Sequence, residues 1–419
     1  MGKSIQIKNL TFAYDKQKIL KQINLVIGRE TFLSIIGPNG SGKTTLLKNI
    51  ARNLKPTTGS VLIDKKELSA YSISELARDL SVVHQNPEIV VEFTVYDVVT
   101  MGRNPYVRRF QAESQHDFEI VEKALHWTNT FHLQHRYINE ISGGERQRVM
   151  IAKALAQEPK VLLLDEPTSF LDIHHQVEIM ELLKRLNREK HISVIAVIHD
   201  LNLAARYSEE VLLLHEGNVV TLGATDKVMT VDNLQKAYEM EMIVDRNAYT
   251  GTLQVCPLSI RKKKVTDSQR VHVITGGGTG RELLQKLYQQ GFTVSVGVLN
   301  RGDSDCELSH KLGFDVIEEE PFQEIKQNTF EIANKTASQS SAVILTSIPI
   351  GSGNLINLSI AVHQIDQGKP VFLYDTYNDS KTFDYTNGKG MAVLQKLKEK
   401  GMKVFDDLDK IMEKLEADD

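Results

Sequence analysis

A glycine-rich loop that directly follows an apolar run decides the fold of the first half of this chain: Phe32–Ile36 reads FLSII and Gly37–Thr45 reads GPNGSGKTT. The apolar run predicts a strand buried on both faces, and the apolar spacing over Thr44–Asn53 predicts a helix. The loop matches G-x-x-x-x-G-K-[ST], in which successive backbone N–H groups hold phosphate oxygens at the positive end of a helix. The sequence therefore predicts a nucleotide-phosphate site, with Lys43 reaching the β/γ-phosphates and the Thr44 hydroxyl holding Mg²⁺.

Two adjacent acids end a second apolar run. Val161–Leu164 reads VLLL and is followed by Asp165 and Glu166. Because parallel strands deliver their carboxyl ends to one edge of a sheet, we expect this pair beside the phosphate loop. Asp165 can hold Mg²⁺ through water, and Glu166 can polarise a water molecule for attack on the γ-phosphate. Together with the loop, the two acids predict hydrolysis of a nucleoside triphosphate.

A third motif, ISGGERQR over Ile141–Arg148, lies shortly before the acidic strand. Ser142, Gly143 and Gly144 open a predicted helix and form a second phosphate-binding helix N-terminus. One γ-phosphate is not expected to be bound by two helix N-termini of the same small subunit. The second helix N-terminus is therefore expected to bind the nucleotide of another copy of the chain. The motif predicts a head-to-tail dimer that traps ATP between two copies of the chain.

In this order the motifs resemble those of the ATP-binding cassette (ABC) family, and the resemblance covers residues 1–256. It implies a P-loop NTPase cassette of class α/β, with a RecA-like core plus antiparallel β and helical subdomains, that binds ATP and Mg²⁺ and hydrolyses ATP. It also implies that Tyr14 stacks on adenine, that Gln85 senses Mg²⁺ and touches a membrane partner, that Asp172 forms the D-loop and that His199 is the switch histidine. Ile141 and Glu145 stand where the family most often has Leu and Gln.

The expected site residues fall into three groups. The catalytic residues are Lys43, Gln85, Glu166 and His199; the nucleotide-binding residues are Tyr14, Gly37, Pro38, Asn39, Gly40, Ser41, Gly42, Lys43, Thr44, Thr45, Ser142, Gly143, Gly144 and Asp172; and the Mg²⁺ ligands are Thr44, Gln85 and Asp165.

Four stretches resemble one branch of the family, the importers of iron–siderophore complexes, haem and cobalamin: Leu76–Arg78, Thr94–Tyr106, Leu171–Gln176 and Asp200–Tyr207. This branch implies two copies of the chain beneath a permease dimer that is fed by an extracellular binding protein, at the cytoplasmic face of the membrane. Met101–Tyr106 is expected where the permease's coupling helix docks. The alternative is a soluble ABC ATPase of translation or DNA repair, but those usually carry two cassettes or a long coiled-coil insertion, and the sequence shows neither.

Composition agrees with a peripheral subunit. The 419 residues predict two or three domains. Lys and Arg total 50 against 54 for Asp and Glu, a net charge of −4 that does not favour a nucleic-acid partner. Cys256 and Cys306 cannot build a disulfide framework and fit a reducing cytoplasm. No apolar run approaches the roughly 20 residues that cross a bilayer.

A polar, charged stretch over 257–270 predicts a linker to a second, smaller α/β domain of Rossmann-like pattern over 271–419. Its predicted strands are Val271–Thr275, Thr293–Leu299, Ala342–Ser347 and Pro370–Tyr374, and its predicted helices are Arg281–Gln290, Phe322–Thr336, Asn354–Asp366 and Met391–Lys400.

Two loops of this second domain, Gly276–Gly280 and Pro349–Asn354, each follow a predicted strand and precede a helix, as in a small-molecule site. Glycines that merely pack a tight turn explain the loops equally well. The acid that a dinucleotide site has about 20 residues further on is not in place, although Asp303 and Asp305 follow the next strand. Three roles stay open: a sensor of cargo or nucleotide, an enzyme that processes cargo, and a dimerisation module. We find no convincing Ser–His–Asp or metal-ligand pattern, so the sensor ranks above the enzyme, and a corrinoid-related domain is preferred.

Overall fold

The computed structural model describes residues 4–84, 92–107, 112–260, 270–321, 323–375 and 383–417. The chain forms two compact units, Met1–Leu258 and Ser259–Asp419. The stretch predicted as a linker is partly strand, because one strand runs to Ile260 and the next begins at Arg270. Residues 261–269 lie outside the described residues. No helix in the described ranges has both the length and the apolar character to cross a membrane.

The first unit contains strands and helices in the following order. The strands are β1 (Ile5–Tyr14), β2 (Gln17–Ile27), β3 (Phe32–Ile36), β4 (Thr58–Ile63), β5 (Lys66–Glu67), β6 (Leu80–Val83), β7 (Val161–Asp165), β8 (Ser193–Val197), β9 (Glu210–His215), β10 (Asn218–Ala224), β11 (Met240–Arg246) and β12 (Leu253–Ile260). The helices are α1 (Lys43–Ile50), α2 (Ile73–Asp79), α3 (Val95–Thr100), α4 (Gln115–Trp127), α5 (Gly143–Ala156), α6 (Ile173–Lys190), α7 (Leu201–Tyr207), α8 (Thr225–Val228) and α9 (Val231–Tyr238).

The central sheet carries the candidate site. Its strand order is β10-β9-β3-β8-β7-β6, and all neighbours are parallel except β10 and β9. Every residue of β3, β7 and β8 is buried, as their apolar runs predict. Because these three strands are adjacent and parallel, the segments that follow them leave the sheet at the same edge.

Two subdomains flank this core. An antiparallel sheet of order β2-β1-β4-β5 presents alternately buried residues on β1. Helices α3 and α4 both pack on α5, and the N-caps of the three helices, Thr94, Ser114 and Ser142, each form a capping box with an acid three residues later. The predicted cassette class, with antiparallel β and helical subdomains, is thereby confirmed.

The second unit is also α/β. Its strands are β13 (Arg270–Ile274), β14 (Thr293–Asn300), β15 (Asp315–Glu319), β16 (Ala342–Thr346), β17 (Val371–Tyr374) and β18 (Lys403–Phe405), and its helices are α10 (Arg281–Gln290), α11 (Ser304–Lys311), α12 (Gln327–Ser338), α13 (Asn357–Asp366), α14 (Lys389–Glu399) and α15 (Leu408–Ala417).

All strands of this sheet are parallel, in the order β15-β14-β13-β16-β17-β18. Counted within the unit this is 3-2-1-4-5-6, the order of doubly wound dinucleotide-binding folds, and the direction of winding reverses between β13 and β16.

One predicted helix of the second unit is wrong at its start. Phe322–Thr336 was expected to be helical, but α12 begins at Gln327. The Glu319 carboxylate accepts hydrogen bonds from the Lys326 backbone N–H and the Thr329 hydroxyl, and so fixes the helix start there.

Candidate functional site

The loop Gly37–Thr45 connects β3 to α1, as predicted. Gly37, Gly40 and Gly42 have φ of 146°, 79° and 99°, in the region that favours glycine. A Cβ on Gly37 would lie 2.1 Å from the Leu214 carbonyl oxygen, so no side chain fits there. The buried Ser41 hydroxyl has no hydrogen-bond partner within the described residues. The loop therefore offers a free hydroxyl for a ligand oxygen.

Lys43 lies inside this loop and is 5% exposed. Its ammonium donates to the carbonyl oxygens of Gly37 and Pro38, both at 2.9 Å. Burial lowers the pKa of Lys43, while the nearby charges of Glu166 and Asp165 oppose that shift. The ammonium is thus held within the loop where phosphate oxygens are expected.

Thr44 and Asp165 meet at the edge of the sheet, as the two motifs predict. The Thr44 hydroxyl donates to Asp165 Oδ1 at 2.9 Å. Burial raises the pKa of Asp165, the charge of Glu166 adds to the shift, and the Thr44 hydrogen bond opposes it. A hydroxyl oxygen beside a carboxylate oxygen is a donor pair that suits a hard cation such as Mg²⁺.

Both carboxylate oxygens of Glu166 are held. His199 Nε2 lies 2.5 Å from Oε1, and the Ser169 hydroxyl donates to Oε2 at 2.9 Å. Burial favours a higher pKa for Glu166, but the hydrogen bonds from His199 and Ser169 outweigh it and the pKa is lowered. The carboxylate is therefore ionised at neutral pH and fixed in orientation next to Asp165.

Tyr14 lies at the end of β1 with 48% of its surface exposed. The Phe12 ring packs against it edge-on, with centroids 4.8 Å apart. This contact supports the ring from one side while the ring stays accessible, which suits the predicted stacking on a base.

Ser142 caps α5, and the acid three residues later completes the cap. The Glu145 carboxylate accepts from the Ser142 backbone N–H at 2.9 Å and from its hydroxyl at 2.8 Å. These hydrogen bonds lower the pKa of Glu145. Glu145, which stands where the family most often has Gln, thus forms a capping box with Ser142. The spacing S-x-x-E is the sequence signal that predicts this capping box.

The glycines behind this cap approach the start of α6. A Cβ on Gly144 would lie 2.2 Å from His175 Cδ2, whereas a Cβ on Gly143 would meet nothing closer than 3.7 Å. His175 Nδ1 is 2.9 Å from both carboxylate oxygens of Asp172, which also caps α6. His175 therefore links the predicted D-loop residue to the glycine motif within one chain, a role that its sequence position did not reveal.

Comparisons with known proteins agree with this site. A family model described as ABC transporter matches residues 20–169, and one described as the MJ0874 family matches residues 294–412. The chain is 35% identical to the cobalamin import ATP-binding protein BtuD of Halobacterium salinarum, over 80% of this chain and 83% of that protein. It is 38% identical to the ferric enterobactin transport ATP-binding protein FepC of Escherichia coli, over 60% of this chain and 93% of that protein.

A solved structure described as an inward-facing, metal-chelate type ABC transporter aligns with a TM-score of 0.55 at 30% identity, and the alignment covers 62% of this chain and 98% of the other. The chain belongs to the ABC transporter ATP-binding family. Within it, the chain is of the siderophore and cobalamin importer type, and the subunits of this ABC family are ATPases. The predicted family, importer branch and enzyme class are confirmed.

A groove of about 540 Å³ opens on the ABC unit between α2, β6 and α5, lined by Ile73, Ala77, His84, Met150, Lys153 and Gln157, among others. Burial lowers the pKa of Lys153. Gln85, the expected Q-loop residue, follows His84 directly but lies outside the described residues.

The segment Met101–Tyr106 lies near this groove and is firmly held. The carbonyl oxygen of Pro105 accepts from the Ser74 hydroxyl and from Arg78 Nη2, both at 2.9 Å. The guanidinium of Arg103, 2% exposed, lies 4.0 Å from the centre of the Tyr106 ring. Arg103 Nη1 also donates to the carbonyl oxygen of Ala156, the last residue of α5, at 2.8 Å. Both α2 and α5 are thus tied to this surface.

The two glycine loops of the second unit follow β13 and β16, the adjacent strands at which the winding reverses. The backbone N–H of Gly277 donates to Asp303 Oδ2 at 2.8 Å, and that of Gly280 donates to Asp305 Oδ2 at 3.0 Å. The first loop therefore already uses two of its N–H groups to bind carboxylates. Asp305 is 1% exposed, and burial raises its pKa.

Proposed function

We propose that this chain is the ATP-hydrolysing subunit of an importer for a metal chelate, and that a corrinoid is its cargo. The observation that carries the ATPase assignment is the Glu166 carboxylate, held by His199 and Ser169 beside the Thr44–Asp165 pair. The assignment of a corrinoid as cargo is based on the similarity to known import proteins. The alignment to the cobalamin import protein spans 335 residues, more than the 258 of the first unit, whereas that to the enterobactin protein spans 251.

In the proposed mechanism Glu166 accepts a hydrogen bond from the attacking water and takes its proton as the water bonds to the γ-phosphorus. His199 and Ser169 keep the two oxygens of this carboxylate in place. Lys43 leaves its carbonyl partners and neutralises charge on the β/γ-phosphates, so that ADP departs with the bridging oxygen. Tyr14 holds the base, and the backbone of Gly37–Thr45 holds the phosphates.

Thr44 and Asp165 are the groups that would hold Mg²⁺, with Gln85 as the third predicted ligand. The oxygen pair at 2.9 Å and the unpartnered Ser41 hydroxyl fit a site that takes an oxygen-bound cation and phosphate oxygens together. Mg²⁺ supplies neutralisation of phosphate charge at this position.

A second copy of the chain completes the site in this proposal. Ser142 and Gly143 are exposed, so they are accessible to the nucleotide of another subunit. Phe170 and Ile173, which flank the D-loop residue Asp172, are 86% and 80% exposed. Large apolar side chains exposed beside polar groups are typical of a surface that another protein covers.

The groove beside Met101–Tyr106 is the surface that we assign to the permease. It is concave and partly apolar, and its walls belong to α2, β6 and α5. A permease helix bound in this groove, at the cytoplasmic face of the membrane, would respond to ATP binding through α5, whose N-cap is Ser142. An extracellular binding protein would supply the cargo.

The proposal is tested in cells that carry Glu166→Gln in the chromosomal gene. We expect them to lose uptake of labelled cobalamin while the protein level is unchanged. Loss of ferric siderophore uptake alone would reassign the cargo. Normal uptake of corrinoid, haem and siderophore would favour the alternative, a soluble ABC ATPase outside transport.

For the second unit we infer a ligand-sensing role, since its two loops meet at the switch point where doubly wound sheets bind ligands. Asp303 and Asp305 occupy the N–H groups that would hold a pyrophosphate, so a neutral or cationic ligand fits better than a dinucleotide.

Thermal unfolding of the full chain tests this ligand-sensing role. A ligand at 100 times its Kd adds about 2.7 kcal/mol to stability. We expect cobinamide or cobalamin to raise the unfolding temperature of the transition that belongs to the second unit. A rise in that temperature with NAD(P) alone would overturn the inference.

A further inference from the structure

Three metal-ligating side chains meet on the second unit, away from its glycine loops. Cys306 and His310 are one turn apart on α11, and Glu318 lies on the edge strand β15. Their ligand atoms all lie within 4.8 Å of one another. Cys306 is buried and reduced, Glu318 is half-buried and His310 is exposed, so the cluster opens to solvent on one side.

Two of the three distances between ligand atoms match those of a metal centre before any ion is added. Cys306 Sγ is 3.6 Å and His310 Nε2 is 3.2 Å from Glu318 Oε2. With Zn–S of about 2.3 Å and Zn–N or Zn–O of about 2.1 Å, a tetrahedral ion sets its sulfur and oxygen ligands about 3.6 Å apart and its nitrogen and oxygen ligands about 3.4 Å apart.

Arg301 holds the carboxylate in the orientation that a metal requires. Its Nε donates to Glu318 Oε1 at 2.9 Å, and its Nη1 donates to Glu320 Oε1 at 2.7 Å. Glu318 Oε2 is therefore the oxygen that faces the thiol and the imidazole. A hydrogen bond to the oxygen that does not bind the ion is the usual support for a carboxylate ligand.

We propose that Cys306 Sγ, His310 Nε2 and Glu318 Oε2 bind a transition-metal ion of the Zn²⁺ class, with water as the fourth ligand. A thiolate, an imidazole and a carboxylate favour such an ion over Mg²⁺ or Ca²⁺, which take oxygen ligands. Three protein ligands and an open position distinguish this site from a closed structural one, which has four protein ligands.

Binding requires that the ion displace the thiol proton to solvent, while the imidazole binds in its neutral form. In the metal-free chain burial and the nearby Glu318 raise the pKa of Cys306 to about 11, so the thiol carries its proton at neutral pH. Helix α11 also carries Asp305, and Asp303 caps its first turn; these two carboxylates hold the first glycine loop. The ion would therefore fasten β15 to the helix that supports the switch-point loop.

Cobalt absorption tests the site in the full chain. The protein, stripped of transition metals, is titrated with Co²⁺ in excess Mg²⁺, which competes for oxygen-ligand sites such as Thr44 and Asp165. The bond of Co²⁺ to a thiolate gives a near-ultraviolet charge-transfer band. We expect one equivalent to produce the band and Zn²⁺ to abolish it. Cys256→Ser is the matched control, because Cys256 is the other free cysteine and should leave the band unchanged.

Three variants separate ligation from folding. Cys306→Ser should abolish the band, and His310→Gln, at an exposed position, should weaken Co²⁺ affinity at least tenfold with thermal unfolding unchanged. Arg301→Gln should weaken it about tenfold through the orientation of Glu318. A wild-type chain without the band, or a band that persists in Cys306→Ser, would overturn the proposal.

Discussion

At the scale of single residues, the role proposed for Glu166 predicts that ATP binding and ATP hydrolysis can be separated by one substitution. Glu166→Gln keeps the shape and the hydrogen bond from Ser169 but removes the proton acceptor. We expect ATP affinity to stay within a few fold and phosphate release to fall about 100-fold or more. Nucleotide-binding and steady-state phosphate assays measure the two quantities. Glu189→Gln, near the end of α6, is the control, and equal turnover in wild type and Glu166→Gln would remove Glu166 from this role.

Asp117 predicts a pH-dependent contribution to stability. Hydrogen bonds from Ser114 hold the pKa of Asp117 at about 2, with help from Arg103, whose Nε donates to Oδ1 at 2.8 Å. Because the pKa in the folded state lies below the ordinary value of 3.8, the stabilisation is complete above pH 3.8 and is lost as the pH falls toward 2. Asp117→Asn should therefore cost about 2 kcal/mol at pH 7.

Urea unfolding of the two proteins at several pH values measures this difference, which should shrink below about pH 4. Asp97→Asn is the matched control. Asp97 forms the same capping box with Thr94 but is exposed, so its loss should cost about 1 kcal/mol. An Asp117→Asn penalty no larger than that of Asp97→Asn would contradict a role for the buried Arg103 pair.

At the scale of elements, the start of α5 depends on the start of α6. Gly144→Ala places a methyl group 2.2 Å from the His175 ring, which Asp172 holds. We expect an overpacking cost of about 1–3 kcal/mol and, since Ser142 shifts with α5, a loss of ATPase activity of about 100-fold. Thermal unfolding and phosphate release report the two effects.

His175→Ala in the Gly144→Ala chain should restore the unfolding temperature, because it removes the clashing ring. Gly143→Ala, whose Cβ meets nothing closer than 3.7 Å, should leave the unfolding temperature nearly unchanged. If the double variant stays as unstable as Gly144→Ala alone, the contact with His175 does not explain the glycine.

Buried strands could be predicted from the sequence more closely than helix ends. β3 coincides with its predicted residues because a strand buried on both faces admits only apolar side chains. Helix α5 begins at Gly143, as its S-G-G motif predicts, but apolar spacing does not mark this start, since Ser142 and Glu145 fix it through hydrogen bonds. For α12 the deciding acceptor, Glu319, lies outside the helix altogether.

The same distinction holds for the site. Lys43, Thr44, Asp165 and Glu166 could be brought together in advance, because each follows or ends a buried parallel strand, whereas His199 was assigned only by the resemblance to the family. Ser169 and His175 could not, since their contacts depend on loop paths. Cys306 and His310 are spaced to share a helix face, but only the packing of α11 against β15 brings Glu318 to them. The sequence-based search therefore missed this cluster.

At the scale of the whole molecule, alternating strands and helices indicated a second α/β unit but not the order 3-2-1-4-5-6, because several strand orders satisfy the same alternation. The same limit applies to assembly. The pairing of Ser142 with the phosphate loop of another copy is inferred from exposure, and it requires a test in which two chains are distinguished.

Mixing two inactive variants provides that test. Lys43→Ala disables the phosphate loop, and Ser142→Arg disables the glycine motif. In a head-to-tail dimer the mixed pair has one site that joins an intact Lys43 from one chain to an intact Ser142 from the other. We expect the equimolar mixture to recover about a quarter of the wild-type phosphate release, because half of the dimers are mixed and each keeps one site of two. Lys43→Ala mixed with Glu166→Gln is the control, since both residues serve the same half-site and no mixed site is complete. No recovery in the first mixture would show that each chain builds its site alone, and recovery in the control would show that Lys43 and Glu166 are contributed by different chains.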